Sequence, residues 1–543
     1  MINPDLSWVD TVLREIELSV SDPHPWERLH DQLQALEGHF EDLMCLGLHV
    51  ELIQKSPMLN KIVGLADLLE SALTRIERSM AENRAGEAEA RVAESIKDCV
   101  WQLREEVLGN AKRAEELMPK ELLSGNPGRS CRLVAWGVGQ VIGNLDRLEV
   151  RGRDSAGLSL QCVVAGDMEA GSWSGERLPQ DLSVTSRIDR GVKISVGSTR
   201  SSEGETVITL VYKVANLVGR LGDNTAALRT AIRDHDLLWS IARFTRHLNV
   251  VAHTRWASNG IISLANCHPT DGFLLGREHE PTIQDRVALF MLNGDVDNYS
   301  DLMEKVVRGQ DFDIDPSVTT DAKVLPLVFR LGTDLEQTAD QRFATLMKSC
   351  EGSMAVVMQH PSYPRALWLG QKGSGQSLFT GRVADGFIIA SEVYGLASQT
   401  RRSFALAGTE KGGTCVTINT GASGQEGLEG RYLDNGSPFE IAPEPIYIHS
   451  RDIYRGSYEY YFEKEIHQAA LSVRKTIKAK YRKLRGKIEF ASDSAGPFGK
   501  LLSRFRDPRA CPKITQSSSR ASGFDGVIPI SMEAVPCDVD LIE

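Results

Sequence analysis

The chain has 543 residues, of which 41% are hydrophobic, and its formal net charge is −11. This length allows more than one buried core, whereas the negative charge argues against nucleic acid or an anionic membrane surface as a partner. Nine cysteines without CxxC pairing argue against a disulfide framework or a zinc ribbon. Since the first ten residues lack an apolar leader and no apolar run approaches the roughly 20 residues that span a bilayer, we expect a cytoplasmic protein.

Residues 1–125 have the apolar spacing of amphipathic helices. Leucines and other apolar residues recur at steps of three and four over 29–43, 62–76 and 92–107. This predicts an all-α helical bundle. Because no polar residues converge in it, we expect it to serve docking or oligomerisation, and a homo-oligomer is among the expected assemblies.

Residues 124–128, Ser-Gly-Asn-Pro-Gly, form a turn-rich break, and the pattern then changes to short β runs. Cys131–Trp136 is predicted to be a strand and Gln140–Leu148 a helix. Further strands are predicted at 158–165, 207–212, 353–359, 366–369 and 387–390, with helical segments over 224–247 and 322–331. Strands and helices occur in blocks without strict βαβ alternation, which favours an α+β fold over 126–445.

One stretch, Val251–Gly260, is an apolar run that ends at Arg255, Trp256 and a glycine. A guanidinium fixed at the end of a strand, next to a flexible backbone, suits the binding of a small carboxylate. We therefore expect the ligand to bind here.

Four motifs occur in a characteristic order: Arg151–Gly157, Val251–Gly260, Asn266–Pro269 and Leu292–Tyr299. Together they resemble the class II glutamine amidotransferase domain in the version found in glucosamine-6-phosphate synthase. The resemblance implies an αββα sandwich of the N-terminal-nucleophile hydrolase type. It also implies L-glutamine as the substrate, with no cofactor and no metal.

The resemblance assigns roles to individual residues. Asn293 and Gly294 would bind the oxyanion that forms on the glutamine amide, through a side-chain amide and a backbone N–H. Arg255 would pair with the α-carboxylate of glutamine and Asp321 with its α-ammonium. The remaining substrate-binding positions are Trp256, Ser258 and Asn259, the last two standing where the family usually carries Thr and His.

The nucleophile implied by the resemblance is Cys131. In the family the nucleophilic cysteine is the first residue of the domain, and its free α-amino group acts as the base. Here about 130 residues precede it and Arg132 follows where the family has Gly. Two hypotheses stay open: an amidotransferase activated by cleavage between Ser130 and Cys131, or a degenerate domain kept for binding glutamine or for assembly.

Residues 446–543 begin with a basic segment that is predicted to be helical over 458–467 and 474–487, followed by an irregular tail. The segment resembles the connector by which such synthases enter their sugar-isomerising half. We do not expect that half within these 543 residues. We therefore expect ammonia to be used for amino-sugar phosphate synthesis by a separate sugar-isomerase (phosphosugar-binding) domain or subunit.

Overall fold

The computed structural model of the chain describes residues 26–39, 57–81, 87–164, 184–215, 220–256, 260–274, 287–307, 314–383, 386–420 and 426–469. It also describes scattered positions before residue 53 and four short strands after residue 480. The chain divides into two compact units, Met1–Tyr454 and Arg455–Glu543. The predicted boundary between residues 125 and 126 lies within the first unit, and the predicted boundary at 445 lies close to its end.

The first unit begins with helices where the apolar spacing predicts them. They are α1 (Trp26–Gly38), α2 (Pro57–Ala81), α3 (Glu87–Trp101), α4 (Gly109–Leu117) and α5 (Lys120–Ser124). A π-helical segment, Gln102–Leu108, joins α3 to α4 without a break. No helix in the described parts of the chain is long and apolar enough to cross a bilayer. The assignment of these helices to a separate docking bundle remains a prediction.

The next element, α6 (Arg129–Leu148), corrects a prediction. The segment Cys131–Trp136 is the start of this helix and not a strand, whereas the helix predicted over 140–148 is confirmed. The first turns of the helix are dense in apolar and β-forming residues, which favoured the prediction of a strand there. Its two inner glycines fit packing contacts: a Cβ on Gly137 would lie 2.7 Å from Leu248 Cδ2, and one on Gly139 would lie 3.6–3.7 Å from Leu117 and Ala114.

The first sheet has five antiparallel strands in the order β2-β3-β4-β1-β5. They are β1 (Ser155–Val164), β2 (Val184–Asp189), β3 (Val192–Arg200), β4 (Thr206–Ala215) and β5 (Thr245–Arg255). Alternate apolar residues of β1, such as Leu158 and Leu160, share a core with α6, α7 (Asp223–Arg233) and α8 (Asp236–Ala242). Its other face meets a second sheet, where Ser159 Oγ donates to Gln359 Oε1 at 2.7 Å.

The second sheet has six strands in the order β14-β13-β12-β8-β7-β6. They are β6 (Leu289–Gly294), β7 (Met354–Gln359), β8 (Ala366–Lys372), β12 (Thr414–Thr420), β13 (Glu426–Tyr432) and β14 (Pro438–Phe439). Its outer face packs on α9 (Tyr299–Val307), α10 (Val324–Leu331) and α11 (Ala339–Ser349). The layer order is therefore helix, sheet, sheet, helix, and the α+β class is confirmed.

A smaller sheet in the order β10-β9-β11-β15 completes the first unit. Its strands are β9 (Phe379–Val383), β10 (Gly386–Ala390), β11 (Arg402–Ala405) and β15 (Glu444–Pro445). Of the strands predicted from the sequence, those at 158–165, 207–212, 353–359, 366–369 and 387–390 are all present. The β2–β3 hairpin, β9 and the strands from β11 onward were not predicted.

The second unit, Arg455–Glu543, has a helix over 461–469, which agrees with part of the predicted connector. The helix predicted over 474–487 is wrong where the structure describes it, because Tyr481–Leu484 pairs with Lys487–Phe490 as an antiparallel hairpin. Residues 470–480 lie outside the described residues. A second strand pair joins Lys513–Gln516 to Ile530–Glu533.

Candidate functional site

Arg255 is the last residue of β5 and lies opposite Ser155 of β1. Its side chain is 5% exposed, and Nη1 donates to the carbonyl oxygen of Ile261 at 3.4 Å. Burial lowers the pKa of this guanidinium, and the charges of nearby Asp321 and Asp154 oppose that effect. A buried guanidinium that is close to acidic groups at a strand end is suited to a ligand that carries both charges.

The Arg151–Gly157 motif is built around this strand end. A Cβ on Gly152 would lie 2.6 Å from the carbonyl carbon of Arg255, and one on Gly157 would lie 1.8 Å from the carbonyl oxygen of His268. Only glycine allows such close backbone approach. Asp154 N also donates to Arg255 O at 3.1 Å. Three of the motifs found in the sequence are therefore in direct contact.

Asp321 begins the 3₁₀ turn Asp321–Lys323 that leads into α10. It is 5% exposed, and its Oδ2 accepts a hydrogen bond from Val296 N at 2.9 Å. Burial raises the pKa of this carboxyl, the hydrogen bond from Val296 opposes the rise, and the charge of Asp295 adds to it. Since Val296 follows Asn293 and Gly294 closely, the carboxylate is tied to the fourth motif.

Asn293 and Gly294 end β6, where they pair with Ala355 and Met354 of β7. Gly294 has φ +108°, and a Cβ there would lie 2.1 Å from Ser353 O. The chain does not reverse at this point. It continues alongside the residues that precede β7, where Asp297 N donates to Glu351 O at 2.8 Å. The use of Asn-Gly as a simple hairpin turn is thus excluded.

Sequence reasoning missed Gln376, which lies against Gly294. Its Cγ would be 3.0 Å from a Cβ on that glycine. The Oε1 atom is buried and has no hydrogen-bond partner within the described structure. The surrounding Gly- and Ser-rich loop has no local signal that connects it to the fourth motif, which is about 80 residues away in sequence.

Of the other predicted binding residues, Trp256 is 72% exposed at the rim of this region. Ser258 and Asn259 lie outside the described residues. Trp256 can cover a ligand held by Arg255, since an exposed aromatic ring next to a polar group gives a large apolar contact surface. Its role, like those of Ser258 and Asn259, remains a prediction.

Cys131 does not lie with these residues. It is fully buried near the start of α6, where Arg243 is among its charged neighbours, just before β5 begins. The helix runs along β5, with Gly137 against Leu248, and the turn after it reaches Arg255. At about 1.5 Å per residue, the 17 residues from Cys131 to the end of α6 separate the thiol from Arg255 by roughly 25 Å. The prediction that Cys131 heads a strand is wrong. Its distance from Arg255 argues against a shared site, and its role as the nucleophile remains a prediction.

Cys267 is a described cysteine whose thiol interacts electrostatically with Arg255. The residue is 1% exposed, and Sγ lies 3.2 Å from Ala156 O and 3.4 Å from His268 O. Burial raises the pKa of this thiol even though Lys213 and Arg255 are close. Carbonyl oxygens around the sulfur favour the S–H form, so Cys267 is not a preformed thiolate.

Of the two histidines of the motifs, His268 is buried and His253 is partly buried. The rings of His253 and His268 lie 4.2 Å apart, and Leu292 N donates to His268 Nδ1 at 3.4 Å. Burial lowers the pKa of His253 to about 4 and holds that of His268 well below its usual value, so both rings are neutral at physiological pH. Within the described residues, no group of three or more His, Cys, Asp or Glu side chains is arranged to hold a metal ion.

A two-sheet α+β sandwich with buried opposite charges and an Asn-Gly strand end is the arrangement expected of a class II glutamine amidotransferase domain. Sequence comparison supports this class. The glutamine–fructose-6-phosphate aminotransferase (isomerizing) of Bacillus cereus strain ATCC 10987 / NRS 248 is 25% identical over 244 residues, which is 45% of this chain and 36% of that protein. The corresponding enzyme 2 of Bos taurus is 28% identical over 156 residues, 28% of this chain and 21% of that protein. The chain is thus weakly homologous to these enzymes and spans about a third of the length of the first.

No protein-family model matches the chain. Among solved structures, the glutamine phosphoribosylpyrophosphate amidotransferase of B. subtilis, complexed with ADP and GMP, is similar with a TM-score of 0.32. Its sequence identity is 14%, and the similarity covers 54% of this chain and 46% of that one.

Proposed function

We propose that the sandwich binds free L-glutamine, with Arg255 on its α-carboxylate and Asp321 on its α-ammonium. The observation that carries this proposal is the burial of both charges, each about 5% exposed, close enough to affect one another electrostatically. A charge held away from water is costly unless groups of opposite charge or hydrogen-bonding groups surround it. An amino acid zwitterion offers a matching group to each.

The side-chain amide of the bound glutamine would then extend towards Asn293 and Gly294. There Asn293 Nδ2 and the Gly294 N–H would bind the amide oxygen, and Gln376 Oε1 would accept a hydrogen bond from the amide nitrogen. Glycine at position 294 allows the strand end to lie against Ser353 O, which a Cβ would meet at 2.1 Å, and so to present its N–H in this conformation. This assignment accounts for the fourth motif and for a buried acceptor that has no partner in the described structure.

The similarity to glutamine–fructose-6-phosphate aminotransferases supports glutamine amidotransferase activity. In this role the domain would release ammonia from glutamine for a sugar-isomerase (phosphosugar-binding) domain or subunit that makes an amino-sugar phosphate. The position of Cys131 favours a second candidate function. A domain whose only family-matched thiol is roughly 25 Å from Arg255 would bind glutamine without hydrolysing it.

Calorimetry tests the common part of both candidates. We expect the wild-type chain to bind L-glutamine and Arg255→Ala to weaken binding by about tenfold or more, because a hydrogen bond to a charged group contributes roughly 1.5–3 kcal/mol. Arg246→Ala is the matched control. It removes an exposed arginine from the other end of the same strand and should leave binding unchanged.

The absence of heat at millimolar glutamine from a folded wild-type chain would contradict both candidates. An assay of glutamate release on the same sample separates them. Release at enzymatic rates supports the amidotransferase, whereas binding without release supports the binding domain.

A further inference from the structure

Asn266 is fully buried at the end of a single 3₁₀ turn, Leu264–Asn266, and it uses both ends of its side-chain amide. Its Oδ1 accepts from Thr319 N at 2.7 Å and from Thr320 N at 3.0 Å. Because backbone N–H groups can only donate, these two bonds fix which end of the amide is oxygen.

The amide nitrogen faces the opposite set of partners. Nδ2 lies 3.1 Å from Ile261 O, 3.2 Å from Ser317 O, 3.0 Å from Thr319 Oγ1 and 3.1 Å from Ser263 Oγ. A single side chain thus joins the loop after β5 to the loop before α10. No exposed residue could do this as well, since water would compete for the same groups.

These partners lead directly to the two charged residues of the site. Ile261 O, which accepts from Asn266, also accepts from Arg255 Nη1 at 3.4 Å. On the other side, Thr320 donates its backbone N–H to Asn266 Oδ1, and its own Oγ1 donates to Asp321 Oδ1 at 3.4 Å. Arg255 and Asp321 are therefore connected through Asn266 by a short chain of hydrogen bonds.

The same two loops also touch without Asn266. Ile261 N donates to Thr319 Oγ1 at 3.1 Å, and Gly260, with φ +81°, would bring a Cβ within 2.8 Å of that oxygen. The loops are thus in close contact, and Asn266 supplies the hydrogen bonds that fix their register.

We propose that Asn266 is a positioning residue that sets the separation of Arg255 and Asp321, and thereby selects ligands with a free α-carboxylate and a free α-ammonium on one carbon. The proposal rests on the proposed function, because it requires both charges to contact one ligand. A residue that holds two binding residues at a fixed spacing favours ligands that contact both of them over ligands that contact only one.

The test compares L-glutamine with two analogues that each lack one charge. N-acetyl-L-glutamine lacks the α-ammonium, and L-glutaminamide lacks the α-carboxylate. Wild type should prefer L-glutamine strongly over both. In Asn266→Ala, which removes both donors and the acceptor of this amide, L-glutamine should bind at least tenfold more weakly. The affinity for each analogue should fall less than threefold, so that the preference for L-glutamine over the analogues decreases.

Asn266→Asp keeps the acceptor for Thr319 and Thr320 and loses the donors, so it should also lower the preference if the Ala variant does not fold. Asn298→Asp is the matched control. Its amide also bonds at both ends, to Ser349 O and from Glu351 N at 2.9 Å each, but it does not connect Arg255 to Asp321. It should keep the wild-type preference.

Equal weakening of all three ligands in both Asn266 variants would overturn the proposal, since Asn266 would then only support the fold. An unchanged preference would overturn it as well, while leaving glutamine binding intact. If wild type binds none of the three ligands, the proposed function fails and the positioning role fails with it.

Discussion

Gly294 has a backbone conformation and surroundings that exclude any other residue. Its φ of +108° is outside the range that L side chains adopt readily, and a Cβ would meet Ser353 O at 2.1 Å. The space that a side chain would take is filled by the backbone of Ser353 and Met354 and by Gln376. Backbone conformation and packing therefore both require glycine at this position.

Gly294→Ala should therefore lower the free energy of unfolding by about 2 kcal/mol or more, since a residue held in a sparsely populated region alone costs roughly 1–3 kcal/mol. Glutamine binding should weaken as well. Urea denaturation and calorimetry measure the two effects. Gly143→Ala is the control. Gly143 lies inside α6 with open space where a Cβ would be, so the substitution should raise the free energy of unfolding by about 0.5–1 kcal/mol. A Gly294→Ala variant as stable as wild type would show that the strand end has another conformation.

The site residues that could be predicted from the sequence are those that lie in a recognisable local motif. Arg255 ends an apolar run, and Gly294 follows an Asn in a recognisable motif, so both could be predicted. The role of Asn266 could not, because its partners Thr319 and Thr320 are 53 and 54 residues away in the chain. Hydrogen bonds between distant loops leave no periodic pattern.

Helix α6 shows at the scale of one element why a strand was predicted. Cys-Arg-Leu-Val-Ala-Trp is rich in apolar and β-forming residues, and two glycines follow that each disfavour a helix by about 1 kcal/mol. Tertiary packing offsets this, because Gly137 fits against Leu248 of β5 and Gly139 against α4. Helix α2, whose apolar residues recur at helical spacing, and β7, a short run of apolar residues buried on both faces, were predicted correctly because those patterns are visible in the sequence.

The position of Cys131 in α6 gives a prediction opposite to the one that its place in the sequence suggests. Cys131→Ala should cost about 1–2 kcal/mol of stability, as a small cavity in a core does, and should leave glutamine binding unchanged. Any release of glutamate should continue at the wild-type rate. Calorimetry and a glutamate assay check this, with Arg255→Ala as the variant that should lose binding. A loss of glutamate release in Cys131→Ala, with binding retained, would restore Cys131 as the nucleophile.

At the scale of the whole molecule, the N-terminal helices and the first sheet share one hydrophobic core. The same cluster contains Leu29 of α1, Leu69 of α2, Ile142 of α6 and Leu160 of β1. Sequence periodicity showed that each helix buries a face but could not show what covers it. The α+β class follows from the order of elements, whereas the joining of the helices to the sandwich depends on packing between them.

A buried polar contact also joins the helices to the end of the first unit. Glu106, in the π-helical segment, is 2% exposed and accepts a hydrogen bond from Ser450 Oγ. Trp101 Nε1 donates to the same hydroxyl at 2.8 Å. Arg451 adds ion pairs of 3.1 Å to Glu94 and Asp98. Residues 450–451 thus hold α3 and its π-helical extension.

Burial raises the pKa of Glu106 from 4.5 to about 8, although the charges of Arg401, Arg147 and Arg113 oppose the rise. The folded protein therefore keeps a proton on this carboxyl that the unfolded chain releases as pH rises above about 4.5. Its contribution to stability is complete below that pH and is lost as pH rises towards about 8, by roughly 1 kcal/mol per pH unit within the window.

Glu106→Gln should abolish this component, because a neutral amide of similar shape does not titrate. We expect the difference in unfolding free energy between the variant and wild type to grow in favour of the variant between pH 5 and 8 and to level off above about pH 8. Burial also raises the pKa of Asp98 and Glu37, and taking the difference between the two proteins removes their contribution. Urea denaturation at a series of pH values measures this difference. Glu121→Gln, at an exposed position on α5, is the control and should have the same pH dependence as wild type.

A Glu106→Gln profile parallel to that of wild type would mean that this carboxyl is already ionised in the folded protein. The arginines would then outweigh burial, and the contact between the helices and residues 450–451 would be an ion network rather than a neutral hydrogen bond.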